Sequence, residues 1–365
     1  MAFMTAIASF KALARDVCGQ VLSLSGVTAP ATRLRERLSI ITFHRVLTES
    51  QRRLYPLPGL AVTPDELDAH LAFATRHFRC LPLKSALDLW SNGPDGGPPI
   101  LAITFDDGQL DNFQNALPVL EKNRVAASFY VPSQILEDAS RPLWHDALAV
   151  CIGRLDALTP TPQSEAMLAE LYASSGLARP AGRVHVESAL ESTKMWSASQ
   201  RRHWIERAQD SLPVPVRHPW DGFMDVKQMK TLLARGHEIG SHSHSHPLLP
   251  HCTDGELEDE IVGSRRRLEA ALGADVTTFC YPNGSLDARS LAMVRQAGYR
   301  AAVTTRWGSN PQGQDPFQLQ RFDMNASHTK DRKGGFSAAR LAWRISGLHP
   351  GLTRSGSDSY SGAAA

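Results

Sequence analysis

The sequence predicts an α/β domain with a largely parallel sheet and a helical insertion. Short apolar runs of strand length alternate with amphipathic segments that carry helix caps, which is the pattern of this fold class. The alternation stops at about residue 137, gives way to polar helical segments, and resumes after about residue 222. We therefore expect a helical extension at 1–37, a main domain at 38–350 with the insertion at 137–222, and a disordered tail at 351–365.

The first half of the main domain alternates between three strands and two helices. "LSIITFH" (38–44) is a buried apolar run that ends in a histidine, and "PILAITF" and "AASFYV" are two further strands. Thr63 and Glu66 form a capping box for the helix "TPDELDAHLAFATRHF", with Pro64 at its first helical position. "NFQNALPVLEKN" predicts the second helix.

The alternation continues after the insertion. "DVKQMKTLLARG" predicts a helix that ends at Gly236, and "HEIGSH" predicts a short strand. "TDGELEDEIVGSRRRLEAALG" begins at a capping box of Thr253 and Glu256 and ends at Gly273. The strand "TTFCYP", the helix "SLDARSLAMVRQAG" and the strand "RAAVTT" complete the pattern.

Composition excludes several classes of protein. A net charge of +2 gives no reason to expect a nucleic-acid surface, which needs a concentrated basic patch. No run of about 18 uncharged apolar residues occurs, so no transmembrane segment is expected. The five cysteines are odd in number and never form a C-x-x-C pair, which argues against a disulfide framework and against a thiolate zinc site.

The N-terminal segment "MAFMTAIASFKALARDVCGQVL" lacks the basic region that begins a signal peptide. Its apolar run is interrupted by Lys11, Arg15 and Asp16, so it predicts an amphipathic packing helix rather than a spanning one. We therefore expect a cytoplasmic protein, with membrane association as the alternative.

Two adjacent carboxylates, Asp106 and Asp107 in "TFDDG", directly follow a predicted buried strand. The carboxyl ends of the strands are where α/β folds place their active sites. Adjacent carboxylates repel each other, so a site that keeps both ionised needs a cation or gives them different roles. The alternatives are a simple Asp-Gly turn and a magnesium-binding pair for phosphoryl transfer.

Three histidines alternate with serines in "GHEIGSHSHSHP", also directly after a predicted strand. On a strand, His242, His244 and His246 would all face the same way, whereas a helical turn would pair only the first with the last. Pro247 argues against a regular helix through this stretch, which favours a turn at the end of a strand. Histidine suits zinc and related transition metals rather than magnesium, which weakens the phosphoryl-transfer alternative.

Taken in order, "TFDDG", "GHEIGSHSHSHP" and "FCYPNG" resemble the motifs of the polysaccharide deacetylases of the NodB-homology group, the carbohydrate esterases of family 4. The second motif of that family, H-[ST]-x-x-[HD], is matched by His242, Ser243 and His246. The flanking "ITFHRV", "NALPVLEKNRVAASFYVP" and "RPLWHDAL" are also similar, so the resemblance covers roughly residues 38–325. It implies a distorted (β/α) barrel of the NodB-homology type.

The resemblance also implies roles for individual residues. Asp107, His242 and His246 would hold Zn²⁺ or another divalent transition metal, and Asp106 would be the general base. In the family, the backbone N–H of the tyrosine in the third motif stabilises the oxyanion, and we assign this role to Tyr281. With Asp107 as the third ligand, the first and last histidines of the second motif are the ligands, and the middle one, at position 244, is expected to point away.

The sequence departs from the family pattern in two places. The arginine of the R-x-P-Y motif is absent from "FCYPNG", which resembles the "FAYPYG" branch associated with exopolysaccharides and surface glycans. Arg321 in "LQRFD" is a candidate to replace it near Asp106, with a surface position or a salt bridge as the alternative. The L-x-H motif, whose histidine donates a proton to the leaving amine, is not found after "RAAVTT". His44 would face the same rim and is the first candidate for this general acid, with a structural role as the alternative, and His328 is the second.

The implied function is hydrolysis of N-acetyl groups from amino sugars of a polysaccharide or glycan precursor. Trp144, His145 and Asp146 form an aromatic-acidic stretch that could line the sugar groove, with core packing of Trp144 as the alternative. Two other functions remain open. The chain could hydrolyse non-sugar amides or cyclic imides on the same scaffold, or it could be a catalytically silent glycan-binding protein.

Overall fold

The computed structural model describes residues 2–93, 95–173, 186–212, 218 and 220–348. Side chains are described from residue 12 onwards, except at residue 326. The tail predicted at 351–365 lies outside the described residues.

The described chain forms eleven strands, most of them short and buried. They are β1 (Arg37–Phe43), β2 (Arg45–Val46), β3 (Ala61–Val62), β4 (Arg79–Leu81), β5 (Ile100–Phe105), β6 (Ser128–Val131), β7 (Glu238–Ser241), β8 (Thr278–Cys280), β9 (Ala301–Trp307), β10 (Asn310–Pro311) and β11 (Leu319–Asp323).

Seven of these strands close into a parallel barrel in the order β1, β5, β6, β7, β8, β9, β11, with β11 pairing back to β1. The predicted (β/α) barrel is confirmed. Outside the ring, β4 extends the sheet from β5, and β10 pairs antiparallel with β1. The strands β2 and β3 form a separate small sheet. The strands of the ring are apolar runs rather than alternating ones, because helices cover the outside of the barrel while side chains fill its interior.

The pairing of β1 with β5 determines which residues meet at the rim of the barrel. Its register runs from Leu38 opposite Ile100 to Phe43 opposite Phe105, so both strands end at the same level. Side chains alternate along a strand, and Phe105 packs in the outer core beneath the helices. The next residue, Asp106, therefore faces the barrel interior beside the residue that follows β1.

The described chain also contains sixteen α-helices. They are α1 (Ala2–Leu24), α2 (Pro30–Arg33), α3 (Glu49–Leu54), α4 (Pro64–His77), α5 (Leu83–Ser91), α6 (Leu117–Lys122), α7 (Trp144–Ala157), α8 (Pro162–Ala173), α9 (Val186–Ser192), α10 (Ala198–Asp210), α11 (Val226–Ala234), α12 (Asp254–Glu258), α13 (Ser264–Leu272), α14 (Ala288–Gln296), α15 (Ala326–Thr329) and α16 (Ala338–Ile345).

The helix caps form where the sequence signals predict them. Thr63 caps α4 and Thr253 caps α12, each in a complete capping box. Gly273 ends α13 in the left-handed conformation, with φ of 67°. Two predicted helices differ from a regular α-helix: π-helical turns at Asn112–Ala116 and Asp259–Gly263 precede α6 and α13. Such turns are common near functional sites.

The helices α7 to α10 form a second, smaller core beside the barrel. Residues of all four helices pack with Leu47, Tyr55, Leu57 and Ala61 from the segment around β3. Trp204 of α10 is fully buried there, and its indole N–H donates to a carbonyl of α8 at 3.2 Å. This core fixes the first turn of α7 against the rim of the barrel.

The N-terminal helix α1 packs against α16. The guanidinium of Arg340 donates to the carbonyl of Ala12 and forms a 2.7 Å ion pair with Asp16. Within the described residues, no helix has both the length and the apolar character that crossing a membrane requires. All five cysteines are free thiols.

Candidate metal centre

Five barrel strands bring polar side chains to one end of the barrel. The residues directly after β5 are Asp106 and Asp107, and the histidine motif directly follows β7. His44 follows β1, and Arg321 lies within β11. The segment after β8 begins at Tyr281. Parallel strands present their carboxyl ends on the same side, so residues from distant parts of the sequence meet there.

The backbone at this rim is unusually strained. Asp107, Ser243 and His246 have positive φ values of 74°, 63° and 59°. Residues other than glycine rarely adopt positive φ values, and those that do are concentrated at functional sites. The hydroxyl of Ser243 accepts a hydrogen bond from the His246 amide at 3.0 Å, which closes the turn of the histidine motif. Gly108 follows with φ of 65°, and a Cβ there would lie 3.2 Å from Val131.

Three side chains of this rim can share one metal ion. The Nε2 atoms of His242 and His246 each lie 3.5 Å from Oδ1 of Asp107. Two ligand atoms of tetrahedral zinc are about 3.4 Å apart, given bonds of about 2.0–2.2 Å. Oδ1 is buried and has no hydrogen-bond partner among the described residues, as expected of an atom that binds a cation. The donor set and its spacing therefore fit a zinc-type metal.

Neighbouring groups orient the two histidines. Nδ1 of His242 donates to the carbonyl of Cys280 at 2.8 Å, which leaves Nε2 available as a ligand. The carbonyl of His246 accepts a hydrogen bond from the indole of Trp144 at 2.9 Å. Both imidazoles are buried, so a metal bound here would be shielded from bulk water on the protein side.

His244 lies outside this group of ligands. Its Nδ1 is 2.9 Å from the hydroxyl of Ser133. The carboxylate of Glu260 accepts the backbone N–H groups of His244 and Ser245, both at 2.8 Å. His244 is thus held on the side of the turn that faces away from the three proposed ligands.

Asp106 is held by a buried arginine. Two guanidinium nitrogens of Arg321 donate to the two carboxylate oxygens, each at 2.8 Å, and the arginine is only 1% exposed. Nε2 of His44 lies 3.9 Å from Oδ2, and the thiol of Cys280 lies 3.6 Å from the same oxygen. Arg321, the arginine that the sequence suggested near Asp106, is therefore the ion-pair partner of this carboxylate.

Both carboxylates are stabilised in the ionised form. Burial raises the pKa of Asp106, but the charge and hydrogen bonds of Arg321 outweigh this effect, so the pKa lies below its usual value. For Asp107, the effect of burial is likewise outweighed, by the interactions with His145 and His242, and its pKa falls well below its usual value. One carboxylate can therefore bind a cation while the other accepts protons.

The backbone N–H of Tyr281, expected to stabilise the oxyanion, already makes a hydrogen bond within the sheet. This N–H donates to the carbonyl of Val303 at 3.1 Å and is therefore already used by the pairing with β9. Pro282 has no N–H, so the next amide along the chain belongs to Asn283. Asn283 has φ of 59° and lines the cavity.

A cavity of about 130 Å³ lies above these groups. One water molecule needs roughly 10–15 Å³, so the cavity can hold a ligand group much larger than water. The helical segment supplies part of its wall through Trp144, Glu187, Leu190 and Lys194. His44 also lines the cavity, whereas His328 is buried in α15 and is not part of the lining.

Two residues near the carboxylates were not given these positions by the sequence. His145 was expected in a sugar groove; it lines the cavity, and its Nε2 also lies 3.7 Å from Oδ2 of Asp107. Cys280 had no assigned role, yet its sulfur lies 3.3 Å from the guanidinium of Arg321. The sequence feature that could have identified both residues was their position. His145 precedes an acidic residue at the start of a helix, and Cys280 ends a barrel strand.

Comparison with known proteins gives one consistent family. The chain matches the family described as polysaccharide deacetylase over residues 93–168 and 194–302. The polysaccharide deacetylase homologue YxkH of Bacillus subtilis strain 168 is 20% identical over 301 residues, which covers 82% of this chain and 76% of that protein.

Solved structures share the fold. The Streptococcus pyogenes deacetylase PplD, determined in complex with acetate, matches with a TM-score of 0.54 at 17% identity, covering 85% of this chain and 98% of that one. IcaB from Ammonifex degensii matches with a TM-score of 0.52 at 16% identity, covering 84% of this chain and 96% of that one.

Proposed function

Because the chain belongs to the polysaccharide deacetylase family, a family of hydrolases, we propose that it removes N-acetyl groups from amino sugars of a polysaccharide or glycan precursor, using a bound divalent transition metal such as zinc. One observation carries this proposal. Asp107, His242 and His246 meet at a ligand spacing suited to zinc, next to a second carboxylate that remains ionised. That pairing suits hydrolysis of an amide bond by an activated water.

Asp107, His242 and His246 would hold the metal, which when bound lowers the pKa of a water molecule and polarises the acetyl carbonyl. Asp106 accepts the proton as the water attacks the acetyl carbon. Arg321 keeps Asp106 ionised and fixes its orientation through the two hydrogen bonds.

The oxyanion that develops needs a hydrogen-bond donor near the metal. We assign the backbone N–H of Asn283 to this role in place of Tyr281. The assignment is supported by the use of the Tyr281 amide in the sheet and by the position of Asn283 in the cavity wall.

The leaving amine must receive a proton, and we assign this step to His44. Its side chain lines the cavity, is 22% exposed, and lies 3.9 Å from Oδ2 of Asp106. It can therefore reach a substrate bound beside Asp106, as a proton donor to the leaving amine must. The position of His328 outside the cavity lining argues against that residue as the acid.

The segment 137–222, predicted as an insertion, would contribute to substrate recognition. Trp144 offers an aromatic face and Lys194 a polar group on the same side of the cavity. Aromatic and polar groups in one wall suit a sugar, which has apolar faces and polar edges. The similarity of "FCYPNG" to the "FAYPYG" branch supports a substrate in surface or exopolysaccharide metabolism.

The proposal is tested by measuring acetate released from N-acetylglucosamine oligomers by the zinc-loaded protein, beside a panel of non-sugar amides and cyclic imides. We expect release from the sugars, loss of activity on chelation, and recovery when zinc is returned. Faster hydrolysis of the amides or imides than of the sugars would indicate a hydrolase of non-sugar amides or cyclic imides. Sugar binding without acetate release, unchanged by Asp106→Asn, would indicate a silent glycan-binding protein and contradict the proposal.

A further inference from the structure

His145 is a fourth histidine at the metal centre, and it comes from the helical segment rather than from the barrel. It lies in the first turn of α7, where its side chain is buried. Its ring centroid is 4.8 Å from that of His246. The imidazole of His145 therefore lies next to the proposed ligands, although His145 itself does not follow a barrel strand.

The two oxygens of Asp107 have different surroundings. Oδ1 faces Nε2 of both His242 and His246 at 3.5 Å. Oδ2 faces Nε2 of His145 at 3.7 Å. A carboxylate that binds a metal through one oxygen is commonly held in place by a hydrogen-bond donor at the other. His145 faces this oxygen and would become that donor when the 3.7 Å separation shortens to hydrogen-bond distance.

A second carboxylate, that of Asp146, lies beside the same nitrogen of His145. Its Oδ1 lies 3.8 Å from Nε2 of His145 and accepts the hydroxyl of Tyr55 at 2.9 Å. Its Oδ2 accepts the amide of Gln109 at 3.0 Å. Nε2 of His145 therefore faces two buried carboxylate oxygens, which can both accept a hydrogen bond from an N–H at this position.

The geometry argues against His145 as a fourth ligand. Two groups of described side chains are close enough to share one ion, Asp107 with His242 and His246, and Asp106 with His242 and Cys280, and neither includes His145. A fourth protein ligand would also close the position that a catalytic metal keeps for water and substrate.

We propose that His145 is a positioning residue, whose Nε2–H holds Oδ2 of Asp107 so that Oδ1 is presented to the metal. This inference rests on the proposed function, because it requires a metal at the site. The helical segment thereby contributes to metal affinity in addition to forming part of the cavity wall.

The test compares two substitutions. His145→Phe keeps a planar ring of similar size but removes the donor, whereas His145→Gln keeps an N–H group at a similar reach. We expect His145→Phe to bind Zn²⁺ about 10–100-fold more weakly, measured by competition with a chelating dye, and His145→Gln to recover most of the affinity. His251, an exposed histidine, supplies the control: His251→Phe should bind zinc as the wild type does.

The absorption spectrum of the Co²⁺-loaded proteins separates a positioning role from ligation. We expect the spectrum of His145→Gln to match that of the wild type, since the ligands are unchanged. A changed coordination number in both variants would make His145 a ligand and overturn the inference. Unchanged zinc affinity in His145→Phe would also overturn it, and would leave the proposed function intact. A wild-type protein that binds no zinc would overturn both.

Discussion

Replacing Arg321 with methionine should destabilise the metal-free protein by about 3–5 kcal/mol, because it leaves the buried Asp106 carboxylate without its charge partner. The substitution removes both 2.8 Å hydrogen bonds to that carboxylate and a third, also 2.8 Å, to the carbonyl of Thr304. Among the neighbours that remain are Cys280 at 3.6 Å, His44 at 3.9 Å and the imidazole of His242, and none of them makes the paired hydrogen bonds of a guanidinium.

The size of this effect should depend on pH in a defined direction. In the wild type the pKa of Asp106 is lowered in the folded state, so its contribution to stability is present above the unfolded value of about 3.9 and is lost as pH falls. In Arg321→Met, the effect of burial is no longer outweighed, and the pKa in the folded state rises above the unfolded value. The loss of folding stability caused by Arg321→Met is therefore largest at neutral pH, and it decreases as the Asp106 carboxyl becomes protonated.

The assay is urea unfolding of chelator-treated protein at pH 7 and pH 5. With an m-value of about 3 kcal/mol/M, the midpoint of Arg321→Met should lie about 1 M or more below that of the wild type at pH 7, and the gap should narrow at pH 5. Adding Asp106→Asn should recover part of the loss, because it removes the buried charge. Equal midpoints at pH 7, or a gap that does not change with pH, would refute the ion pair as the cause.

Three further predictions concern the metal centre and the acid. His246→Ala should lose zinc, measured as bound metal per protein after dialysis, whereas His244→Ala should keep it; the reverse would contradict the ligand assignment. Asp106→Asn should keep zinc yet lose at least about 100-fold in kcat, because it removes the base, and turnover close to the wild-type rate would exclude that role. His44→Ala should lower kcat by a comparable factor with little change in zinc content, and an unchanged kcat would mean that another group protonates the amine.

The sequence predicted the parts of the fold that rest on local patterns. The capping box of Thr63 and Glu66 and the left-handed Gly273 determine helix ends through contacts within a few residues, so they can be read directly. Strands as short as β4 and β10, with three and two residues, show no periodicity and depend on the neighbours they pair with. Closure of the barrel through β1 and β11 likewise depends on residues far apart in the chain.

The candidate site was predictable where residues directly follow strands. Asp106 and His242 meet because parallel strands end on one side. That the amide of Tyr281 bonds to the carbonyl of Val303 could not be predicted, because the sequence does not show which N–H makes the last hydrogen bond of the sheet. The position of His145 depends on how the helical segment packs on the barrel, which local patterns do not specify.

The decisive measurement of the metal-dependent mechanism combines zinc content and acetate release on the same preparations of wild-type protein and Asp106→Asn. We predict about one zinc per chain in both proteins and acetate release from N-acetylated glucosamine oligomers by the wild type alone. Acetate release by zinc-free wild type, or equal release by both zinc-loaded proteins, would contradict a metal centre at Asp107, His242 and His246 served by Asp106 as the base.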